Sequence, residues 1–462
     1  MSTWFKKEYR IFFYIFLLAL VARLVYLFVA INTYGGGALE PTIHGADGYF
    51  TVSQNLIEGN GLSSSEGPPY EPYQFRPPLY HYFIYGAYTL FGGYWGVILL
   101  QILIASVLAP LGMVLARYLT ERKWIPIAVG VVLALEPSGI LYSTFFYAEV
   151  LFMLWLFLSL WALFAYLQSG RLLQLGTSAF LLGLATLTRP TTEYVPVIII
   201  GALVWMARKH LSLRHVAHLG VYVAVFALVL APWLYRNYTT FGVADLSPQL
   251  GVNLHMTLLP TVYSIERGTT FQAEFAALQA SGIKGPNDAS LQEGRQYKDL
   301  AIPLLLAHPK ALLLSAVNSG IGFFTLDGVF DFLRHITIRP PEILGKPSLA
   351  ALIQDPIGVA QYFGRNLASP LAFILIGRIV WWAVTILFLF GCWRLLRARP
   401  LSPHALIAIL IVLYVAATSL ITGYGLTARY RLPVNALVTT IALVEVAAIA
   451  PVLRRTLNRL YA

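Results

Sequence analysis

The sequence predicts an all-α polytopic membrane protein with about ten transmembrane helices and with amphipathic helices in two extracytoplasmic loops. The chain of 462 residues is 58% hydrophobic and only 11% charged, whereas soluble domains usually carry about 25% charged residues. Apolar runs recur with the roughly 20-residue length that spans a bilayer core. This composition excludes an ordinary soluble globule and a disordered chain.

Ten segments have the length and polarity of spanning helices. An eleventh apolar stretch, 79–91, is too short to span, and we expect it to lie at the outer interface or to re-enter there. The first segment is long and contains Arg23, which favours a retained anchor over a cleaved signal peptide. The predicted spans are 11–31, 94–116, 124–141, 144–167, 172–188, 193–207, 215–234, 371–393, 404–421 and 432–452.

The basic residues indicate how these spans are oriented. The formal net charge is +11, and half of the 32 lysines and arginines cluster at alternate ends of the apolar runs. Short cytoplasmic loops show this excess, so the charge reports membrane orientation and argues against a nucleic-acid partner. Both termini are therefore expected in the cytoplasm, and the membrane is expected to be a bacterial plasma membrane. The clustered residues are Lys6, Lys7, Arg10, Arg117, Arg122, Lys123, Arg171, Arg208, Lys209, Arg214, Arg394, Arg397, Arg399, Arg454, Arg455 and Arg459.

This topology leaves two long segments outside the membrane, 32–78 and 235–370. They divide the chain into an N-terminal catalytic transmembrane module, 1–234, a large extracytoplasmic loop, 235–370, and C-terminal transmembrane helices, 371–462. The first loop holds five acidic residues and one arginine, and is acidic overall. The second has helical patterns at 269–280, 289–307 and 309–326.

Asp47 in the first loop is a candidate catalytic acid. It lies at the expected N-terminus of a short helix, which the glycines at 59 and 61 end. The alternative is an N-cap or first-turn acid that the helix dipole stabilises by about 1 kcal/mol. His44 stands three residues earlier, a spacing that could contribute two ligands to a divalent cation. Two ligands do not make a metal site, so the sequence assigns none.

Four arginines stand at outer helix ends, where they have no topological function. Arg76 precedes two prolines, which fix the backbone that carries its guanidinium; the others are Arg189, Arg429 and Arg431. Guanidinium groups bind phosphate in a bidentate manner. The alternatives are snorkelling anchors or ion pairs, with Arg189 pairing Glu193 and the last two pairing loop acids.

Other ionisable residues near the membrane are weaker candidates. Glu149 opens the fourth span, and a carboxylate there is either a site residue or a tie between helix and loop. Glu136 precedes Pro137 and is read as structural. For Arg23, Arg378 and Glu445, mutual pairing is a sufficient explanation.

The order of these features resembles the C-type membrane glycosyltransferases. Carrying the resemblance are an early Asp in the first outer loop, a Gly-x-Gly turn, the run Arg76-Pro77-Pro78-Leu79-Tyr80, and a Glu opening a later helix. Further matches are Thr-Arg189-Pro190, Ala-His308-Pro309 and Ala428-Arg429-Tyr430-Arg431. The family includes protein O-mannosyltransferases, lipid A aminoarabinose transferases and relatives acting on lipopolysaccharide core sugars. Gly48 follows Asp47 where the mannosyltransferases have an Asp-Glu pair, so the likeness does not specify protein mannosylation.

The resemblance implies an enzyme that moves a sugar from a polyprenyl-phosphate donor to a lipid, glycan or protein acceptor on the extracytoplasmic face. It implies that Asp47 is the catalytic base and that Arg76 faces the donor phosphate, with Arg429 or Arg431 assisting. Glu149, Tyr80, Arg189 and His44 are candidates to support the site. One carboxylate and one displacement would invert the anomeric centre. The alternative function is a transporter or flippase of lipid-linked sugars, which would place ionisable residues at mid-depth on several helices.

Overall fold

The computed structural model describes residues 2–34, 47–280, 289–336, 357–358, 361, 364, 371–423 and 427–460. Within these ranges the protein is helical, and the sheet-like pairing is an isolated bridge between Ser63 and Pro72. Eight helices are long and apolar enough to cross a membrane, and a bent pair would make a ninth. The predicted fold class, a polytopic all-α membrane protein, is confirmed.

We number the α-helices in chain order. They are α1 Ser2–Tyr34, α2 Tyr49–Ile57, α3 Leu79–Phe91, α4 Tyr94–Arg117, α5 Trp124–Leu135, α6 Pro137–Leu141, α7 Glu149–Ser169, α8 Leu172–Thr188, α9 Val195–Ala207, α10 Leu213–Phe241, α11 Gln249–Asn253, α12 Leu259–Arg267, α13 Phe271–Ala280, α14 Leu291–Ala307, α15 Pro309–Thr325, α16 Val329–His335, α17 Leu371–Arg397, α18 Pro403–Leu420 and α19 Asn435–Leu460. The 3₁₀ turns Pro190–Thr192 and Ala428–Val434 precede α9 and α19, and a π-helical turn, Leu254–Leu258, follows α11.

All ten predicted spans are helical, but two are shorter than a full span. The segment predicted at 124–141 divides into α5 and α6 at Glu136. Glu136 has an extended backbone, ψ 123°, because the following proline disfavours the helical conformation at the residue before it. The segment at 172–188 is the second short apolar helix.

The helices outside the predicted spans also form. The stretch 79–91 is α3, a 13-residue helix, and the helical patterns in the second loop become α13, α14 and α15. Helices α14 and α15 meet at 104° and together have the apolar length of one broken span. Pro309 opens the second of them, which accounts for the break at His308.

Buried side chains join the two predicted loops to each other. Val52 and Phe75 from the first loop pack with Val252, Met256 and Tyr297 from the second in one apolar cluster. A much larger core lies among the long helices, with contributions from α1, α4, α5, α7, α8, α18 and α19. The loops therefore form a packed layer at one end of the helices, and this layer carries the cavity described next.

Candidate functional site

A chain of alternating charges links four parts of the sequence at this end of the helices. The Arg429 guanidinium donates through Nη2 to Asp47 Oδ2 and through Nε to Glu149 Oε1. Arg189 donates through Nη1 to the same Glu149 oxygen. Glu149 is 1% exposed, so its two arginine partners supply the countercharge that a buried carboxylate requires.

Arg76 completes this cluster. Its Nη2 lies 3.8 Å from Asp47 Oδ1, and its guanidinium lies 5.1 Å from the centre of the Tyr49 ring and 5.4 Å from that of Phe75. Such faces attract cations and restrict where a guanidinium can move. Three arginines thus surround two carboxylates, which leaves one positive charge in excess.

The arginines also set the protonation of Asp47. Burial alone would raise the pKa of the Asp47 carboxyl, but the charges of Arg429 and Arg76 outweigh burial and hold the pKa well below its usual range. Asp47 is therefore ionised at neutral pH. Its side chain does not cap α2, whose N-cap is Gly48 in the left-handed conformation at φ 70°, so the alternative reading of Asp47 as a helix cap is wrong.

The segment that carries Arg76 is fixed by hydrogen bonds from the second loop and its neighbours. Arg236 donates to the Tyr73 carbonyl at 2.7 Å, and Ser247 donates to the Phe75 carbonyl at 2.7 Å. The Gln74 side chain accepts from the Leu291 amide at 3.0 Å. The prolines at 77 and 78 then lead directly into α3. Arg76 is consequently held from both sides of its backbone.

The segment that precedes Glu149 is fixed by hydrogen bonds that involve α3 and α4. Gln101 on α4 donates to the carbonyls of Ser143 and Phe145 at 3.0 and 2.6 Å. Tyr80 on α3 donates to Gln101 Oε1 at 2.7 Å. Tyr80 is fully buried, so it supports the site indirectly through Gln101.

His81 packs beneath the Arg76 side of the cluster. The imidazole is fully buried, and its ring centre lies 5.0 Å from that of Tyr49 and 5.2 Å from that of Tyr73. Burial, with the nearby Arg76 charge, lowers the pKa of His81 to about 3. The ring is therefore neutral at physiological pH and acts as packing for Tyr49.

The cluster opens onto a cavity of about 250 Å³. Asp47, Arg76, Arg189 and Arg429 all contribute to its lining. Most of the remaining lining comes from the N-terminal side of α9, from α11 and from the end of α18, so each of the three predicted segments of the chain takes part.

Arg431 was predicted to bind the donor phosphate, but the structure places it away from the cavity. Its side chain is fully buried and donates to the carbonyls of Phe323 and Leu326 at 2.7 and 2.5 Å. The guanidinium lies 3.5 Å from the centre of the Trp381 ring. Because these groups occupy its donors inside the helical core, Arg431 does not line the cavity.

Several other expectations are corrected by closer partners. Arg189 pairs with Glu149 in place of Glu193. The residues predicted to pair mutually instead bind others: Arg378 pairs with Asp327, and Glu445 accepts from Arg394 at 2.6 Å.

Arg23 also has nearer partners than Arg378 or Glu445, since it donates to the carbonyls of Ala19 and Ala134 at 2.9 and 3.3 Å. Glu136 accepts from the Gly139 amide at 2.5 Å as an N-cap, which agrees with a structural role. His44 lies outside the described residues. Within the described ranges, no three His, Cys, Asp or Glu side chains are grouped as metal ligands.

Two contributors to the site were not identified from the sequence. Tyr147 places its ring centre 4.0 Å from the Arg429 guanidinium, and Gln101 holds the preceding backbone. An amide in the middle of the apolar run 94–116 was the signal for Gln101. The signal for Tyr147 was weaker, because aromatic residues are common at helix ends in membranes.

Comparison with known proteins supports the resemblance seen in the sequence. Residues 75–235 match the family model described as dolichyl-phosphate-mannose-protein mannosyltransferase. A comparison with curated protein sequences gives no significant match.

Among solved structures, the chain is similar to the Archaeoglobus fulgidus oligosaccharyltransferase in the apo form, with a TM-score of 0.49 and 15% identity over 99% of this chain and 53% of that one. The same archaeal enzyme with an inhibitory peptide and a dolichol-phosphate gives 0.48 and 12%, over 99% and 52%. ArnT from Cupriavidus metallidurans bound to undecaprenyl phosphate gives 0.40 and 15%, over 94% and 79%. The chain spans about half the length of the archaeal enzyme. The match of residues 75–235 to this family model agrees with the resemblance that the sequence predicts.

Proposed function

We propose that the protein is a membrane glycosyltransferase that moves a sugar from a polyprenyl-phosphate donor to an acceptor hydroxyl, with inversion at the anomeric carbon. The observation that carries this proposal is the bridge from Arg429 to both Asp47 and Glu149 at the wall of the cavity. The match of residues 75–235 to a family of sugar transferases that use a lipid phosphate supports it. We further propose that the cavity faces the extracytoplasmic side of a bacterial plasma membrane, with both termini in the cytoplasm.

Donor binding would first redistribute the charges of the cluster. A phosphodiester in the cavity brings one negative charge, which matches the excess positive charge of the three arginines. Arg76 and Arg429 can turn donors toward the phosphate oxygens, since guanidinium groups bind phosphate in a bidentate manner. Their pull on Asp47 then weakens, so its pKa rises and the carboxylate becomes a stronger base when the donor is in place.

The transfer step forms one bond to the anomeric carbon and breaks another. The acceptor oxygen forms a bond to the anomeric carbon, and its proton passes to Asp47. The bond from the anomeric carbon to the phosphate oxygen breaks, and the electron pair leaves with the polyprenyl phosphate. Arg76 and Arg429 stabilise the charge that develops on that oxygen. Glu149 does not take the proton, because it is buried and fixes the positions of Arg189 and Arg429.

Replacing Asp47 with Asn tests this assignment. The measurement is transfer of a radiolabelled sugar from a polyprenyl-phosphate donor to endogenous acceptors in membranes, together with affinity for undecaprenyl phosphate. We expect transfer to fall at least about 100-fold, the lower range for loss of a general base, while donor binding persists. Asp299→Asn is the control, because Asp299 is exposed on α14.

The same experiment separates the enzyme from a flippase. A flippase would move the lipid-linked sugar across the membrane without transferring it, and Asp47→Asn would change flipping. Normal transfer by a well-folded Asp47→Asn protein would overturn the proposed base.

A further inference from the structure

Part of the cavity lining differs in chemistry from the arginine cluster. It includes hydroxyl and amide side chains and one carboxylate, and the residues that matter here are Glu193, Gln249, Asn253, Tyr414 and Thr418. The guanidinium groups that line the cavity, those of Arg76, Arg189 and Arg429, lie outside this part, beside Asp47 and Glu149. This part of the lining is therefore not suited to a phosphate.

Glu193 is the carboxylate in this part, and its position contrasts with that of Asp47 and Glu149. Among the described residues, no lysine or arginine lies within ion-pair distance of Glu193; its neighbours are the Tyr194 phenol, which forms a hydrogen bond with it, and the more distant charges of Asp245 and Lys298. The 3₁₀ turn Pro190–Thr192 separates Glu193 from Arg189, and both residues line the cavity. Partial burial of a carboxylate without a directly bonded cation costs free energy unless other donors satisfy it. A ligand that brings hydroxyl donors would do so.

Gln249 and Asn253 supply the complementary amides. They are the first and last residues of α11, four positions apart, and so share one face of the helix. Neither side-chain amide has a hydrogen-bond partner within the described part of the chain, and both side chains are half-buried. The π-helical turn that follows Asn253 is of a kind that often accompanies functional sites.

The position of these amides is set by a close backbone contact. A Cβ added at Gly251 would lie 1.8 Å from the carbonyl oxygen of Gly294, so α11 rests directly on the backbone of α14. At the other side, Thr257 donates to the carbonyl of Ile421 at 3.2 Å, which ties the π-helical turn to the end of α18. Tyr414 donates to the Thr191 carbonyl at 2.7 Å and accepts from the Tyr194 amide at 3.3 Å. These contacts hold the wall against α14 and α18.

We propose that Glu193, Gln249 and Asn253 form a site for the hydroxyl groups of a neutral sugar, with Glu193 as a specificity-determining residue. A carboxylate accepts hydrogen bonds from two adjacent hydroxyls, and each amide can both donate and accept. This inference rests on the proposed function, because the cavity then holds either the sugar of the donor or a sugar of the acceptor. Both present the same hydroxyl chemistry, and the test distinguishes them.

The test compares the full chain in lipid nanodiscs with Glu193→Gln and Asn253→Ala. The probes are undecaprenyl phosphate, its mannosyl, glucosyl and galactosyl forms, and the corresponding methyl glycosides. If the donor sugar occupies the site, one sugar-bearing lipid binds the original protein more tightly than undecaprenyl phosphate, and each variant weakens that binding about tenfold, as expected when one hydrogen bond is weakened or lost.

If an acceptor sugar occupies the site, a methyl glycoside binds to the protein loaded with undecaprenyl phosphate, and each variant weakens that binding about tenfold. Glu71→Gln is the matched control, since Glu71 is exposed in the first loop. Sugar binding that is equal in the original protein and both variants, or absent from the original protein, overturns the proposal. Thermal unfolding of each variant verifies that it is folded.

Failure of the proposed function would give a different result. In that case undecaprenyl phosphate without a sugar would not bind, or would bind equally to Arg429→Gln. The sugar site is judged only from the difference between probes with and without a sugar, so the two failures are distinguishable.

Discussion

Asp47 and Arg429 lie 382 positions apart in the chain and form a direct ion pair at the cavity wall. Arg429 bonds Glu149 at the same time, so one side chain joins the first loop, α7 and the turn before α19. A planar guanidinium can bridge two carboxylates because its donors point in fixed directions. The charge cluster is thus both a binding surface and a tie between distant parts of the fold.

Removal of the bridging guanidinium is expected to impair both functions. In Arg429→Gln, Glu149 keeps only Arg189, and breaking a buried pair costs about 3–5 kcal/mol. We expect a lower midpoint of unfolding and at least about tenfold weaker binding of undecaprenyl phosphate. Arg429→Lys should recover little, since an ammonium is a single point charge.

Thermal unfolding and lipid titration measure these two effects. Arg295→Gln is the control, because Arg295 and Asp245 form an exposed pair, with 50% and 36% of their side chains accessible. Such pairs contribute only about 0–1 kcal/mol. Equal effects of the two variants would contradict a special role for Arg429.

The depressed pKa of Asp47 has a consequence for activity at low pH. A carboxyl whose pKa is lowered on folding adds stability above its unfolded pKa, near 3.9, and loses it only as pH falls through the lower folded value. Asp47 in the free enzyme therefore stays ionised between pH 8 and 5. We expect kcat/KM for the donor to show no acid limb from Asp47 in that range, because kcat/KM reports the free enzyme.

In Arg429→Gln the largest charge acting on Asp47 is lost, so the pKa of Asp47 rises. The fall in rate that accompanies protonation of Asp47 should therefore occur at a higher pH than in the original protein. The measurement is the pH profile of initial rates at low donor concentration. Identical acid limbs in the original protein and the variant would contradict this account.

Arg431 should behave differently from Arg429 despite its position two residues later. Arg431→Met removes hydrogen bonds to the carbonyls of Phe323 and Leu326 and leaves those groups buried without a donor, at about 1–3 kcal/mol each. We expect destabilisation with unchanged affinity for undecaprenyl phosphate per folded molecule. Titration of the folded fraction, isolated by size-exclusion chromatography, provides the measurement. Weakened lipid binding in that fraction would indicate that Arg431 does bind the donor phosphate.

The contact between α11 and α14 is expected to tolerate no side chain. In Gly251→Ala the new Cβ would collide with a backbone oxygen, which cannot turn away as a side chain can. We expect a loss of about 1–3 kcal/mol, typical of overpacking. Gly201→Ala is the control, since a Cβ there meets no atom within 4 Å. Chemical unfolding followed by tryptophan fluorescence would show the difference, and equal stabilities would disprove the contact.

The fold could be largely predicted because its governing constraint is local. A span needs only enough consecutive apolar residues with polar ends, and all ten predicted segments are helical. The break in the segment at Glu136 and Pro137 also has a local cause, since proline restricts the conformation of the residue before it. The helical patterns of the second loop were visible for the same reason.

The candidate site was predictable in part. Asp47, Arg76, Arg189, Arg429 and Glu149 stood out because charged residues at apolar helix ends are costly unless paired or used, and the structure brings these five together. Their pairing was not predictable, since Arg189 had Glu193 nearby in the chain yet bonds Glu149. The amides of Gln249 and Asn253 gave no signal, because polar residues are ordinary in a loop.

Arg429 and Arg431 show what only the tertiary structure decided. Both lie on the same 3₁₀ turn with the same side chain, and the sequence placed both at the end of the last span. Arg429 reaches the cavity because two carboxylates from distant segments meet it there. Arg431 turns into the core because the carbonyls at the end of α15 and the Trp381 ring receive it. Sequence determined where charge could be placed along each helix, whereas packing between helices determined which charges meet.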